Sequence, residues 1–132
     1  MQVVLILIML GQAYLCFFDH EEWAAAGVSI EGNPSLNILY ETGSRLLVMV
    51  VASIYVIITQ NARQWLVVLL MNVVREGQEM FIDPLFPVAN APASPMMDFA
   101  IHVVIVAIEV AAFVKVLAIA KQESTADLAP AE

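Results

Sequence analysis

Four apolar runs, at residues 3–18, 36–59, 65–82 and 96–120, leave little of this 132-residue chain for anything else. A helix needs about 20 apolar residues to cross the ~30 Å hydrocarbon core of a bilayer, and each run is near that length, the first being the shortest. Soluble domains usually carry about a quarter charged residues. Here the share is 14%, against 61% hydrophobic residues and a mean hydropathy of +0.85. The expectation is an all-α protein, an integral membrane antiparallel four-helix bundle over residues 1–121, with a polar C-terminal tail at 122–132. The 13 acidic and 5 basic residues give a net charge of −8. That balance offers no basic stripe for phosphates, so nucleic acid is not an expected partner, and no polybasic anchor for anionic lipid. The lone Cys16 permits no intramolecular disulfide.

Boundary residues support the helices independently. Asn33 before Pro34, and Ser94 before Pro95, fit an N-cap followed by proline at the first helical position. Asn61 with Gln64 three residues on is a capping-box pattern opening the third run. The few residues between Thr59 and Trp65 require spans two and three to form a tight hairpin. Asp19 and Glu22 suit the start of a short interfacial helix reaching Ala26, with Trp23 at headgroup level. The loop DPLFPVANAPASP holds four prolines and should be extended, a flap over one end of the bundle. The first run lacks a basic n-region, and the cleavage-like AAAG at 24–27 lies beyond an acidic cluster, so it reads as a retained span. Four spans put both termini on one side. The positions of Arg63, Lys115 and Lys121 make that side cytoplasmic, with the acidic loops around Glu21 and Asp83 outside.

The stretch NVVREGQEMF at 72–81 interrupts an apolar run with charge. Helical spacing explains where those charges go. Trp65, Leu69, Asn72, Glu76, Glu79 and Asp83 recur at steps of three and four, which keeps them on one face. The same steps link Glu41, Arg45, Val48, Ala52, Tyr55 and Thr59 in span two. They also link Asp98, His102, Ile105, Glu109, Ala112 and Val116 in span four, and Leu5, Met9, Gln12, Cys16 and Asp19 in span one. In lipid, one polar stripe per helix means polar groups inside and apolar groups outside. Arg75 falls one step off its stripe and is expected to snorkel to the outer interface. Glu109 lies ~16 Å along its helix from Asp98, near the bilayer midplane. The pattern implies a polar pocket opening outward with Glu109 at its floor.

The segments LNILYETGSRLLVMVVASIYVI, WLVVLLMNVVREGQEMF and VAIEVAAF resemble a small bacterial four-helix membrane family known only as a domain of unknown function. The resemblance spans roughly residues 18–121 and rests on helix order, the Tyr40–Gly43 region, the Arg75–Gly77 region and Glu109. Members often carry two glycines after the tyrosine, where this chain has Glu41 and Thr42. The resemblance implies a four-helix bundle in a bacterial inner membrane. It supplies no activity.

Candidate site residues are weighed against structural roles. Glu41, Arg45, Glu76 and Glu79 could form only an internal ion-pair network that fixes helix register. On the functional reading Arg45 orients an anionic or carbonyl-bearing ligand, with Glu41, Tyr55, Asn72 and Arg75 as further contacts, while Glu76 or Glu79 exchanges a proton. Glu109, a carboxyl at the midplane without an evident partner, is a functional candidate by default, and His102 is its potential partner. No metal is expected, because Phe17 and Phe99 stand where the Glu-x-x-His pairs of four-helix carboxylate sites require an acid before His20 and His102. Haem ligation by those two histidines has only their shared outer-end position behind it, and no cofactor is indicated. Cys16 has no base nearby in sequence to activate it.

Three functions remain open. The first is a membrane bundle that binds a hydrophobic ligand, a partner membrane subunit or a second copy of itself, with no chemistry of its own. The second is a membrane-embedded acid–base enzyme, an isomerase or cyclase acting on an isoprenoid or other lipid-like substrate through Glu76, Glu79, His102 and Glu109. The last-ranked is a proton-coupled carrier, because small four-helix multidrug carriers place their essential carboxylate in the first span, which here has no acid before Asp19.

Overall fold

A computed structural model describes residues 1–87, 89–90 and 93–126, and every regular element within them is helical. In chain order these are α1 (Gln2–Phe18), α2 (His20–Ala25), α3 (Gly32–Thr59), α4 (Ala62–Leu85) and α5 (Pro95–Ala126). The all-α expectation is met. Two of the helices, α3 and the Pro95–Thr125 stretch of α5, are long and apolar enough to cross a membrane. α1 is as apolar but has only 17 residues, while α4 is long enough but broken in its apolar character by Arg75, Glu76 and Glu79.

The chain divides into two units, Met1–Ile57 with Phe86–Ser94, and Ile58–Leu85 with Pro95–Glu132. In the first, α1 and α3 run antiparallel. The Gln2 amide donates to Ser53 Oγ at 2.6 Å near one end, and the Phe17 ring stacks on Tyr40 at 5.8 Å near the other. Leu5, Met9, Ala13 and Cys16 of α1 and Leu39, Val50 and Val56 of α3 are buried. What lets the backbones approach is Gly43, where a Cβ would lie 2.7 Å from the Phe17 ring and 2.9 Å from Cys16 Cβ. Small residues serve this purpose wherever apolar helices must touch without help from water.

α2 ends on Gly27, at φ +94. The Val28 N–H reaches Trp23 O and the Gly27 N–H reaches Ala24 O, the paired bonds of a helix terminated by a left-handed glycine. The Asp19 side chain makes no capping bond to this helix. From the proline-rich loop, Asn90 returns to α2, its amide donating to Ala25 O at 2.8 Å and its N–H to Ala26 O at 3.2 Å. Val88, Ala91 and Pro92 of the expected flap lie outside the described residues.

In the second unit, α4 and α5 form an antiparallel pair: the Arg63 guanidinium donates to Ser124 Oγ, and Asp83 lies against His102 at the opposite end. Asn61 caps α4 as expected, its Oδ1 accepting from the N–H groups of Arg63 at 3.0 Å and Gln64 at 3.2 Å. The Gln64 side chain also accepts from the Thr59 hydroxyl at 2.7 Å. α5 starts at Pro95 as the Ser94–Pro95 signal predicts, whereas α3 starts earlier, at Gly32, so Pro34 sits inside the first turn. Residues 122–126 of the expected polar tail continue α5, and 127–132 lie outside the described residues.

Candidate functional site

Asn72, Glu76, Glu79 and Asp83 occupy the inward stripe of α4, and Asp98, His102 and Glu109 that of α5. All seven are buried or half-buried. Because the helices are antiparallel, position 83 meets 98, position 76 meets 102, and position 72 meets 109. The stripes therefore converge along the seam, in the order the spacing predicts.

Glu76 is the centre of the cluster. Its side chain is 2% exposed and pairs with the guanidinium of Arg75 through one oxygen. Through the other it accepts from His102 Nδ1 at 2.8 Å. Arg75 also reaches Glu79 at 3.5 Å. This corrects the expected snorkelling of Arg75: its side chain is 18% exposed and folds back along α4, because two carboxylates offer it charge partners within a turn. Breaking a buried pair of this kind by removing one partner costs about 3–5 kcal/mol, since the survivor is left uncompensated.

The other imidazole nitrogen, His102 Nε2, faces Asp83 Oδ2 at 3.4 Å and Asp98 Oδ2 at 3.8 Å. Asp83 and Asp98 thus face the same imidazole nitrogen and lie close to each other. Burial pushes the Asp83 carboxyl above its ordinary value, the charge of Asp98 adds to this, and His102 opposes it. Both aspartates stood on the sequence stripes but outside the candidate site. The signal for them is the antiparallel register, which brings the last turn of α4 to the first turn of α5.

Deeper along the seam, Glu109 is 1% exposed. The Asn72 side-chain amide donates to one of its oxygens, while Oε2 is buried without a hydrogen-bond partner among the described residues. A buried carboxyl in this condition requires a proton, an ion or a ligand group to complete it.

The α3 candidates Glu41, Arg45 and Tyr55 belong to the first unit. Glu41 and Arg45 pair with each other at 3.0 Å while 55% and 78% exposed, and Tyr55 is exposed. The buried face of α3 instead carries Leu39, Gly43, Val50, Ser53 and Val56, two positions out of phase with the expected stripe and so on the opposite side of the helix. Its polar groups satisfy one another along the helix, and small residues take the packed face. His20 is engaged locally, its Nε2 lying 3.0 Å from Cys16 O.

The carboxylates and imidazole also approach metal-ligand geometry. Glu76, Glu79 and His102, and separately Asp83, Asp98 and His102, each bring one potential ligand atom per residue within 4.8 Å of the others. Comparison with protein-family models, with curated proteins and with solved structures gives no match.

Proposed function

We propose that this chain is a small integral membrane protein, a four-helix antiparallel bundle, that binds a lipophilic ligand through the polar seam of α4 and α5. The membrane reading is supported by faces that carry large apolar side chains outward: Val3, Val4, Leu7 and Ile8 on α1, Val48, Val51 and Ile58 on α3, Val104 and Val114 on α5 are all exposed. A helix that is apolar all round needs lipid or protein on every side.

The observation that carries ligand binding is Glu109, a fully buried carboxyl with Asn72 on one oxygen and, among the described residues, no hydrogen-bond partner on the other. Oε2 is a buried polar atom without a hydrogen-bond partner among the described residues. It suits a molecule that dissolves in the bilayer and presents one hydroxyl or amine donor, as many isoprenoid and lipid headgroups do. Extraction of the purified protein and comparison of its lipophilic content with the bulk membrane tests this. Strong enrichment of one donor-bearing species supports it, and bulk composition overturns it.

A second reading, acid–base catalysis on such a ligand, is favoured by His102, whose two nitrogens both face carboxylates. An imidazole so placed can pass a proton from one nitrogen to the other side of the ring, with Glu76 and Glu79 as the neighbouring acids and bases and Glu109 deeper along the seam. Loss of turnover of an identified ligand in Glu76→Gln and Glu109→Gln, with helical content retained, would establish it. Unchanged turnover in both would remove it.

A further inference from the structure

Around His102 gather four carboxyl groups, Glu76, Glu79, Asp83 and Asp98, and only one guanidinium, that of Arg75. Arg75 answers Glu76 and Glu79. Among the described residues no lysine or arginine is paired with Asp83 or Asp98. Asp98 has some compensation in the first turn of α5, where the helix dipole favours an anion, but Asp83 sits in the last turns of α4, where it disfavours one. The two acids therefore meet at a place that lacks a cation.

The imidazole shows what kind of cation fits. Nδ1 is committed to the buried Glu76 carboxylate at 2.8 Å. With Nδ1–H as the donor, Nε2 carries its lone pair toward Asp83 Oδ2 at 3.4 Å and Asp98 Oδ2 at 3.8 Å. Those separations exceed the ~2.7–3.2 Å of an N–H···O hydrogen bond. They are close to the roughly 3–3.6 Å between ligands that share one metal at about 2.0–2.2 Å. We propose that Asp83, Asp98 and His102 bind a divalent transition-metal ion of the Zn2+ type, with Glu76 orienting the imidazole from behind.

Each part of the arrangement has a physical reason. Asp98 and His102 are one helical turn apart and present their donors side by side, and Asp83 faces them from the antiparallel partner. One nitrogen and two carboxylate oxygens suit Zn2+ or Mn2+ better than Ca2+ or Mg2+, which prefer oxygen alone. A carboxylate behind a metal-bound histidine fixes its tautomer and raises its basicity. The rival set of Glu76, Glu79 and His102 already holds a cation, the Arg75 guanidinium, and is the poorer candidate. With side chains 44% and 32% exposed, Asp83 and Asp98 leave the site an entry route and an open coordination position for water. Asp98 precedes His102 by four residues and Asp83 stands on the other helix, so the Glu-x-x-His spacing does not reveal this set.

The test uses the full chain in detergent, with Zn2+ as the probe and competition against a chromophoric chelator as the readout. One Zn2+ per chain is expected, with Asp83→Asn and Asp98→Asn each weakening affinity by at least tenfold and Glu76→Gln by about 10–100-fold. X-ray absorption of the parent protein, which needs no variant, should show a sulfur-free shell containing one imidazole. No binding, equal affinity in the Asp83→Asn/Asp98→Asn double variant, or a shell without imidazole would overturn the proposal. The ligand reading stands or falls separately: Zn2+ binding by a chain without lipophilic cargo supports this site alone, and cargo retained without Zn2+ binding removes it.

Discussion

Glu76 and His102, 26 residues apart in sequence, meet at 2.8 Å across the α4–α5 seam, and both are largely shielded from solvent. The contact joins the two helices through a charge-assisted bond and leaves the outer imidazole nitrogen facing Asp83 and Asp98. Replacing Glu76 with Ala removes the nearest carboxylate from both Arg75 and His102, so destabilisation of up to about 3–5 kcal/mol is expected. Glu76→Gln, which keeps the size but not the charge, should cost less. Thermal unfolding in one detergent, comparing both variants with the parent, checks the order.

Gly43 makes an equally sharp prediction in the other unit. An alanine there pushes its Cβ into Phe17 and Cys16. The α1–α3 pair must separate or shift, at a cost of about 1–3 kcal/mol. A second-site Phe17→Leu should recover part of that loss, and helix-pair crosslinking between positions 2 and 53 should fall in the single variant.

Glu41 and Arg45 should behave in the opposite way. Exposed ion pairs four residues apart on a helix contribute only about 0.3–0.5 kcal/mol. Glu41→Gln and Arg45→Gln are therefore expected to leave the unfolding temperature and the bound lipophilic content almost unchanged. A large loss of cargo in either variant would return α3 to the site.

Asp83 gives a pH dependence with a definite sign. Its folded carboxyl holds a proton more tightly than the unfolded one, chiefly through burial and next through Asp98. Stability from this group is thus fully present below the ordinary aspartate value and is lost as pH rises through the raised one. In chelator-treated buffer, Asp83→Asn should flatten the unfolding temperature across that acidic window. A profile as steep in the variant as in the parent would contradict the assignment.

How much of this was legible in the sequence differs from helix to helix. Steps of three and four located the buried faces of α1, α4 and α5, because there Met9, Cys16, Asn72, Glu76 and Glu109 repeat on a single side. On α3 the same rule picks a face other than the one packed against α1. It followed polarity, whereas the packed face is set by the smallness of Gly43 and Ser53 and by the partner helix they admit. Periodicity reports which residues share a face, but not whether that face is covered. Within the site, Glu79, His102 and Glu109 were found from spacing and depth. The Asp83–Asp98 meeting depended on the antiparallel register of α4 and α5, which no local pattern encodes.

The most direct measurement is native mass spectrometry of the chain released from its own membranes, parent beside Glu109→Gln. A parent carrying one lipophilic species of defined mass, and a Glu109→Gln chain that is equally stable but bare, is the expected result. A parent that flies bare, or a variant that keeps the same adduct in the same proportion, would contradict a ligand held at Glu109.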